Sequence, residues 1–92
     1  MSTYLKSSYN SIWQKALDNV KSGGFFDSSI YIQWIADSNL FEINDEFATI
    51  VVPNLVSQKV FMTDKVIFED CLSRVIDHPI TINVILQKDA VN

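Results

Sequence analysis

Between Ser8 and Lys21 the apolar residues Tyr9, Ile12, Trp13, Ala16, Leu17 and Val20 recur three and four positions apart. That spacing gathers them on one side of an amphipathic helix. Ser7 or Ser8 can cap its start, and Gly23-Gly24 ends it. After Phe25-Phe26, the cluster Asp27-Ser28-Ser29 offers side-chain oxygens to the unpaired N–H groups of a second, short helix from about Ser29 to Ala36. Its buried side consists of Ile30, Ile32 or Tyr31, Trp34 and Ile35. Two β-branched-rich runs follow, from Leu40 to Ile43 and from Phe47 to Val52, with Asn44-Asp45-Glu46 between them. Asn and Asp suit tight turns, so the two runs form an antiparallel hairpin.

Pro53 cannot donate to a strand ladder and Asn54 is a good helix cap, so a third helix starts there. Val56, Val60, Ile67, Cys71 and Val75 lie near one face, with Phe61, Phe68, Leu72 and Ile76 beside them. Thr63-Asp64-Lys65 interrupts the stripe by about one turn, so this is either one rod or two segments bent there. The pattern favours one rod. His78-Pro79 stops it, and the alternation from Ile80 to Gln87 gives a closing strand with Ile80, Ile82, Val84 and Leu86 inward. The order is α-α-β-β-α-β, an α+β fold with three helices on a small three-stranded sheet. One domain is expected over residues 1–87, and residues 88–92 read as the start of a linker or a disordered tail.

Composition narrows the function classes. The 92 residues have room for one domain, and 48% apolar content supports a single core. Net charge is −4 with no Lys/Arg block, which argues against binding a phosphate backbone by counterion release. Cys71 alone cannot build a disulfide or a thiolate metal cluster within one chain and suits a reducing compartment. No apolar run spans a bilayer and the first residues lack a secretory h-region, so a soluble, cytoplasmic protein without membrane contact is expected.

The candidates for chemistry are sparse. His78, at a helix end before Pro79, reads as a dipole partner or turn residue, because a general base needs a positioned partner and a metal needs several ligands. Glu69-Asp70 diverge by ~100° around a helix and Asp45-Glu46 sit in a turn, so neither is a catalytic pair. Gly23-Gly24 lacks the frame of a phosphate loop, and Cys71 lacks a cationic neighbour that would make it a nucleophile. The expectation is a protein that is not an enzyme and has no cofactor, metal or small-molecule substrate. Trp34 reads as core, since a very short helix needs its apolar side buried. Trp13 stands at the stripe's edge, either a core-margin residue or an interface anchor.

Three motifs in order, Ser11-Ile12-Trp13-Gln14-Lys15-Ala16-Leu17, Trp34-Ile35 and Ile50-Val51-Val52-Pro53-Asn54, resemble the N-terminal domain of the bacterial replication initiator DnaA. The resemblance runs from about Tyr9 to Leu86. It implies a KH-like fold of the same element order and a domain that associates weakly with itself, helps recruit the replicative helicase and docks regulators of initiation. It further implies an N-terminal piece of a longer initiator whose ATP-binding and duplex-origin-binding domains lie elsewhere. Trp13 corresponds to the self-association aromatic, and the docking surface maps to Ser29, Ile30, Asn54, Leu55 and Val56. Asn54 matches the family directly. Val56 stands where many relatives have a Phe anchor, and Ile30 where some have an acidic helicase contact. Ile30 and Val56 either form an apolar docking patch with Leu55 or belong to the core. The alternative is a KH-like single-strand binder with weak contacts from Lys59 and Lys65, although a GxxG clamp and a basic groove are missing.

Overall fold

The computed structural model describes residues 4–90. A short 3₁₀ turn (Lys6–Ser8) leads into α1 (Tyr9–Ser22). Ser8 makes no side-chain cap there, so the expected serine cap gives way to the turn itself, closed by the Ser8 N–H on Leu5 O at 2.8 Å. Trp13, Ala16, Leu17 and Val20 are buried on one side of α1, as their spacing requires. Asn19 O accepts from the N–H of Gly23 at 3.0 Å, and Gly24 takes φ +68°, a left-handed turn that a side chain would disfavour.

α2 (Ser28–Ile30) continues into a π-helical turn over Tyr31–Ile35, in which the N–H of Ala36 reaches Tyr31 O at 2.9 Å. Asp27 at its start makes no side-chain cap. The wider turn changes the angular spacing of side chains, so the buried side differs from the expected one. Ile35 is fully buried, whereas Ile32 is 69% exposed, Ile30 sits at the surface and Trp34 is only half-buried, outside the core cluster. The core role expected for Trp34 is therefore corrected.

β1 (Asn39–Ile43) and β2 (Phe47–Val52) pair antiparallel. Asn44 sets the hairpin: its Oδ1 accepts from the N–H groups of Glu46 and Phe47, each at 2.8 Å. The register shifts between Leu40 and Glu42, and this bulge is what lets Leu40 and Ile43, three apart, both face the core.

Asn54 caps the next helix as its type predicts, its Oδ1 accepting from Ser57 N–H at 2.9 Å. The single rod favoured by the pattern is two helices, α3 (Leu55–Thr63) and α4 (Lys65–Ile76), separated at Asp64 with φ −113° and ψ 34°. The cause lies in Phe61 and Phe68, whose rings stack at 4.1 Å and 24°. Seven residues of straight helix rise about 10.5 Å, with side chains all leaning toward the N-terminus, so rings so spaced cannot meet face to face. Breaking the helix between them brings both into the core. Trp13 stacks on Phe61 at 6.3 Å and Phe26 on Phe68 at 5.6 Å, so one aromatic row joins α1, α3, α4 and the loop before α2.

Asp77 closes α4 in the left-handed region at φ 64°. β3 (Thr81–Leu86) then pairs parallel to β2, giving a mixed sheet in the order β1-β2-β3. A parallel return needs a long crossover, and α3–α4 supply it. The outward edge of β3 is covered by side chains: Gln58 Nε2 donates to Val84 O at 3.0 Å, and Glu69 Oε2 accepts from Ile82 N–H at 2.9 Å. α1 lies against α4 and β1, and α3 and α4 lie against β3, so the helices cover one face of the sheet. Ile50, Val52, Ile82 and Ala48 are buried beneath them. Gln87–Asp89 form a 3₁₀ turn where a tail was expected to start; residues 91 and 92 of that tail lie outside the described residues. Among the described residues no helix is long and apolar enough to cross a membrane.

Asp77→Gly relieves a left-handed non-glycine residue without removing a buried contact, and is expected to stabilise the fold by about 0.5–1 kcal/mol. Thermal unfolding then shifts upward by a few degrees. An unchanged or lower midpoint would mean that the aspartate side chain compensates its own backbone strain.

Candidate interaction surface

The residues nominated from the sequence separate into three environments. Trp13 is 1% exposed, stacks on Phe61, and donates from Nε1 to Ser38 Oγ at 2.9 Å. Ser38 is itself buried and donates to Ile35 O at 2.7 Å. A side chain so enclosed has no surface to offer a second copy, so the self-association role expected for Trp13 is corrected to a core role. It fastens α1 to the end of the π turn through a satisfied buried hydrogen bond.

Ile30 and Val56 are brought together. Both line a shallow groove between α2 and α3, with Phe26, Val60, Lys59, Thr63 and Asp64 completing its walls. Val56 is 48% exposed and Leu55 68%. Leu55 and Asn54 face a second concavity with Pro53, Leu86 and Lys88, into which Val56 also projects, so the first turn of α3 is a ridge between two hollows. Asn54 is committed to its cap, and Ser29 is exposed but lines neither hollow. On the other side of α2 a third concavity is walled by Val20, Phe26, Tyr31 and Ile32, with Lys21 and Ser28 at its rim. Burial, and then the Asp18 carboxylate, pushes the Tyr31 phenol up, so it stays protonated and donates to Leu17 O at 3.4 Å.

The two lysines are not equivalent. Lys59 is exposed on the groove, whereas Lys65 lies 3.8 Å from Glu69, the carboxylate that covers the β3 edge. They do not form a joint basic track. Of the seven residues lining the groove, Lys59 and Asp64 are charged and Phe26, Ile30, Val56 and Val60 are apolar. Ile32 and Met62 are 69% and 49% exposed, Ile32 on the third concavity rather than in the groove, and the sequence reading did not single out either as a site residue. The signal for Met62 was present, since it follows Leu55 and Lys59 at helical spacing.

The remaining candidates for chemistry occupy structural positions. His78 Nδ1 lies 2.9 Å from Pro79 O, which can only accept, and Nε2 lies 2.6 Å from the Tyr4 hydroxyl oxygen. Cys71 is buried; that burial pushes its thiol up, more than the Arg74 guanidinium lowers it, and Asp70 adds to the rise. Among the described residues no group of three or more His, Cys, Asp or Glu is placed to hold a metal ion. No protein-family model matches the chain, and no curated protein sequence matches it.

Trp13→Ala is expected to cost roughly 3–5 kcal/mol, a large part of a small domain's stability, and to leave Ser38 without its donor. Circular dichroism melting checks this, and a variant that melts like the wild type would return Trp13 to the surface. The Cys71 thiol should resist alkylation in native buffer and react fully in denaturant. Because the folded state holds that proton at pH values where the unfolded thiol has lost it, stability from this group falls as pH rises past the ordinary thiol range. Rapid native labelling would contradict the burial.

Proposed function

We propose that this chain is a protein-interaction domain of a DnaA-type replication initiator, acting in the cytoplasm without chemistry or a cofactor of its own. It docks the replicative helicase and initiation regulators through the surface shared by α2 and the start of α3. The observation that carries this reading is the groove lined by both Ile30 and Val56, whose other apolar walls are Phe26 and Val60. Ile30, in place of an acidic contact, and Val56, in place of a Phe anchor, are both exposed rather than buried in the core, so the first departure adds apolar surface to the docking patch and the second makes its anchor smaller. The motif order and the α-α-β-β-helix-β sequence of elements also support it, the third helix of that order being split at Asp64. A KH-like assignment of the fold belongs to the same proposal. Weak self-association remains part of it, but through residues other than Trp13.

Exposed apolar positions tolerate substitution, so the double variant Ile30→Asp with Val56→Asp should lose about 1 kcal/mol of stability or less. It should nonetheless weaken binding of the cognate helicase's N-terminal part at least about tenfold, because each change places a desolvated charge in the contact. Two-dimensional NMR of the labelled domain reads both effects. Undiminished helicase binding by the folded variant would remove this surface from the proposal. Tight, salt-sensitive binding of single-stranded DNA, with a silent helicase titration, would favour a nucleic-acid domain instead.

A further inference from the structure

On the side of α2 away from the groove, Val20, Lys21, Phe26, Ser28, Tyr31 and Ile32 wall a hollow of about 310 Å³. An apolar cavity of about 150 Å³ is enough to take up benzene, so this one has room for a ring and a short side chain. Its walls come from the last turns of α1, the loop before α2 and the π turn. Both aromatic walls are fixed from behind. Phe26 stacks on Phe68 at 5.6 Å, and the Tyr31 hydroxyl donates to Leu17 O at 3.4 Å. A hollow whose aromatic sides are held by the rest of the fold is formed before anything enters it, as small-molecule sites usually are.

The π turn gives up stability to form this wall. Single π turns are rare and occur often at functional sites. Here the turn leaves Trp34 half-buried and sets Ile32, 69% exposed, on the outer wall of the hollow. The polar groups at the rim are not engaged elsewhere. Lys21 Nζ stands 5.9 Å from the centre of the Tyr31 ring, and among the described residues no carboxylate lies within ion-pair distance of it. Ser28 Oγ has no hydrogen-bond partner among the described residues. The lining itself contains no acid, and Asp18, whose charge acts on the Tyr31 phenol, is not part of it. A cationic ligand would meet Lys21 as a like charge, and a neutral one would cover the ammonium without giving it a partner. We propose that the hollow between α1 and the π turn binds a small aromatic carboxylate, its ring against Phe26 and Tyr31 and its carboxylate at Lys21 and Ser28. This site is separate from the α2–α3 groove and does not rest on the reading of that groove as a docking surface; Phe26 alone lines both.

The test titrates phenylpropionate and its uncharged amide into the labelled domain, and both into Lys21→Met and Ile32→Ala, two exposed positions at which substitution leaves the fold intact. Phenylpropionate should shift the amide signals of Lys21, Tyr31 and Ile32 with a dissociation constant of about 1 mM or below, the affinity that a ligand of this size reaches at ordinary efficiency. It should bind roughly two- to fivefold more tightly than the amide at low ionic strength. Lys21→Met should remove that preference, and Ile32→Ala should weaken both ligands about threefold. Equal binding of acid and amide, or a preference that survives Lys21→Met, overturns the carboxylate assignment. Undiminished binding by Ile32→Ala overturns the part given to the π turn. Shifts at Ile30 and Val56 without shifts at Lys21 and Ile32 would put the ligand in the groove and overturn the site. Silence from both ligands at several times that concentration overturns the hollow as a binding site while leaving the helicase titration, and the docking surface it tests, untouched.

Discussion

The stack of Phe61 on Phe68 is the constraint from which the rest of the arrangement follows. Two rings seven residues apart meet at 4.1 Å only because the chain breaks at Asp64, and the break gives the crossover between β2 and β3 two short helices with different directions of burial. α4 lies against α1, and α3 lies against β3 and the π turn. Trp13 and Phe26 extend the aromatic row at its two ends, so α1 and the loop into α2 are fixed to the same feature. Offset aromatic pairs are worth about 0.5–1.5 kcal/mol each beyond the area they bury, and three of them in a row couple elements that sequence separation would leave independent.

The elements that could be read from the sequence were those governed by neighbours along the chain. The stripe of α1, the Asx turn at Asn44, the cap at Asn54 and the alternation of β3 each rest on contacts within a few residues. The two tryptophans show where that reasoning stops. Trp13 and Trp34 looked like edge and core, but the structure reverses them, because Trp13 finds Ser38 twenty-five residues away while the π turn rotates Trp34 out of the core. Neither the serine partner nor the extra residue in the turn leaves a periodic trace. The break at Asp64 did leave one, in the polar triplet 63–65, yet weighing it correctly required knowing that both phenylalanines must be buried together.

The candidate site divides the same way. That Ile30 and Val56 would be neighbours is a tertiary fact, since they stand on helices joined through the whole hairpin. Asn54 matched a known motif and turned out to be occupied by the local cap, which is sufficient reason for an asparagine at that position. Ser29, chosen by its place in the short helix, contributes to no concavity that holds Ile30 or Val56.

Both edges of the sheet are guarded. A strand edge is the simplest docking surface a small α+β domain has, because unpaired N–H and C=O groups accept another chain directly. On β3 those groups are taken by Gln58 and Glu69 from the crossover helices, and on β1 the bulge between Leu40 and Glu42 bends the strand out of a regular ladder. Both devices discourage strand addition. The crossover that supplies Gln58 from α3 and Glu69 from α4 to the sheet edge also turns Leu55, Val56, Lys59 and Met62 of α3 outward. Exposed aliphatic side chains on a helix already anchored by its opposite face cost little in folding, and that leaves their burial free energy available for association.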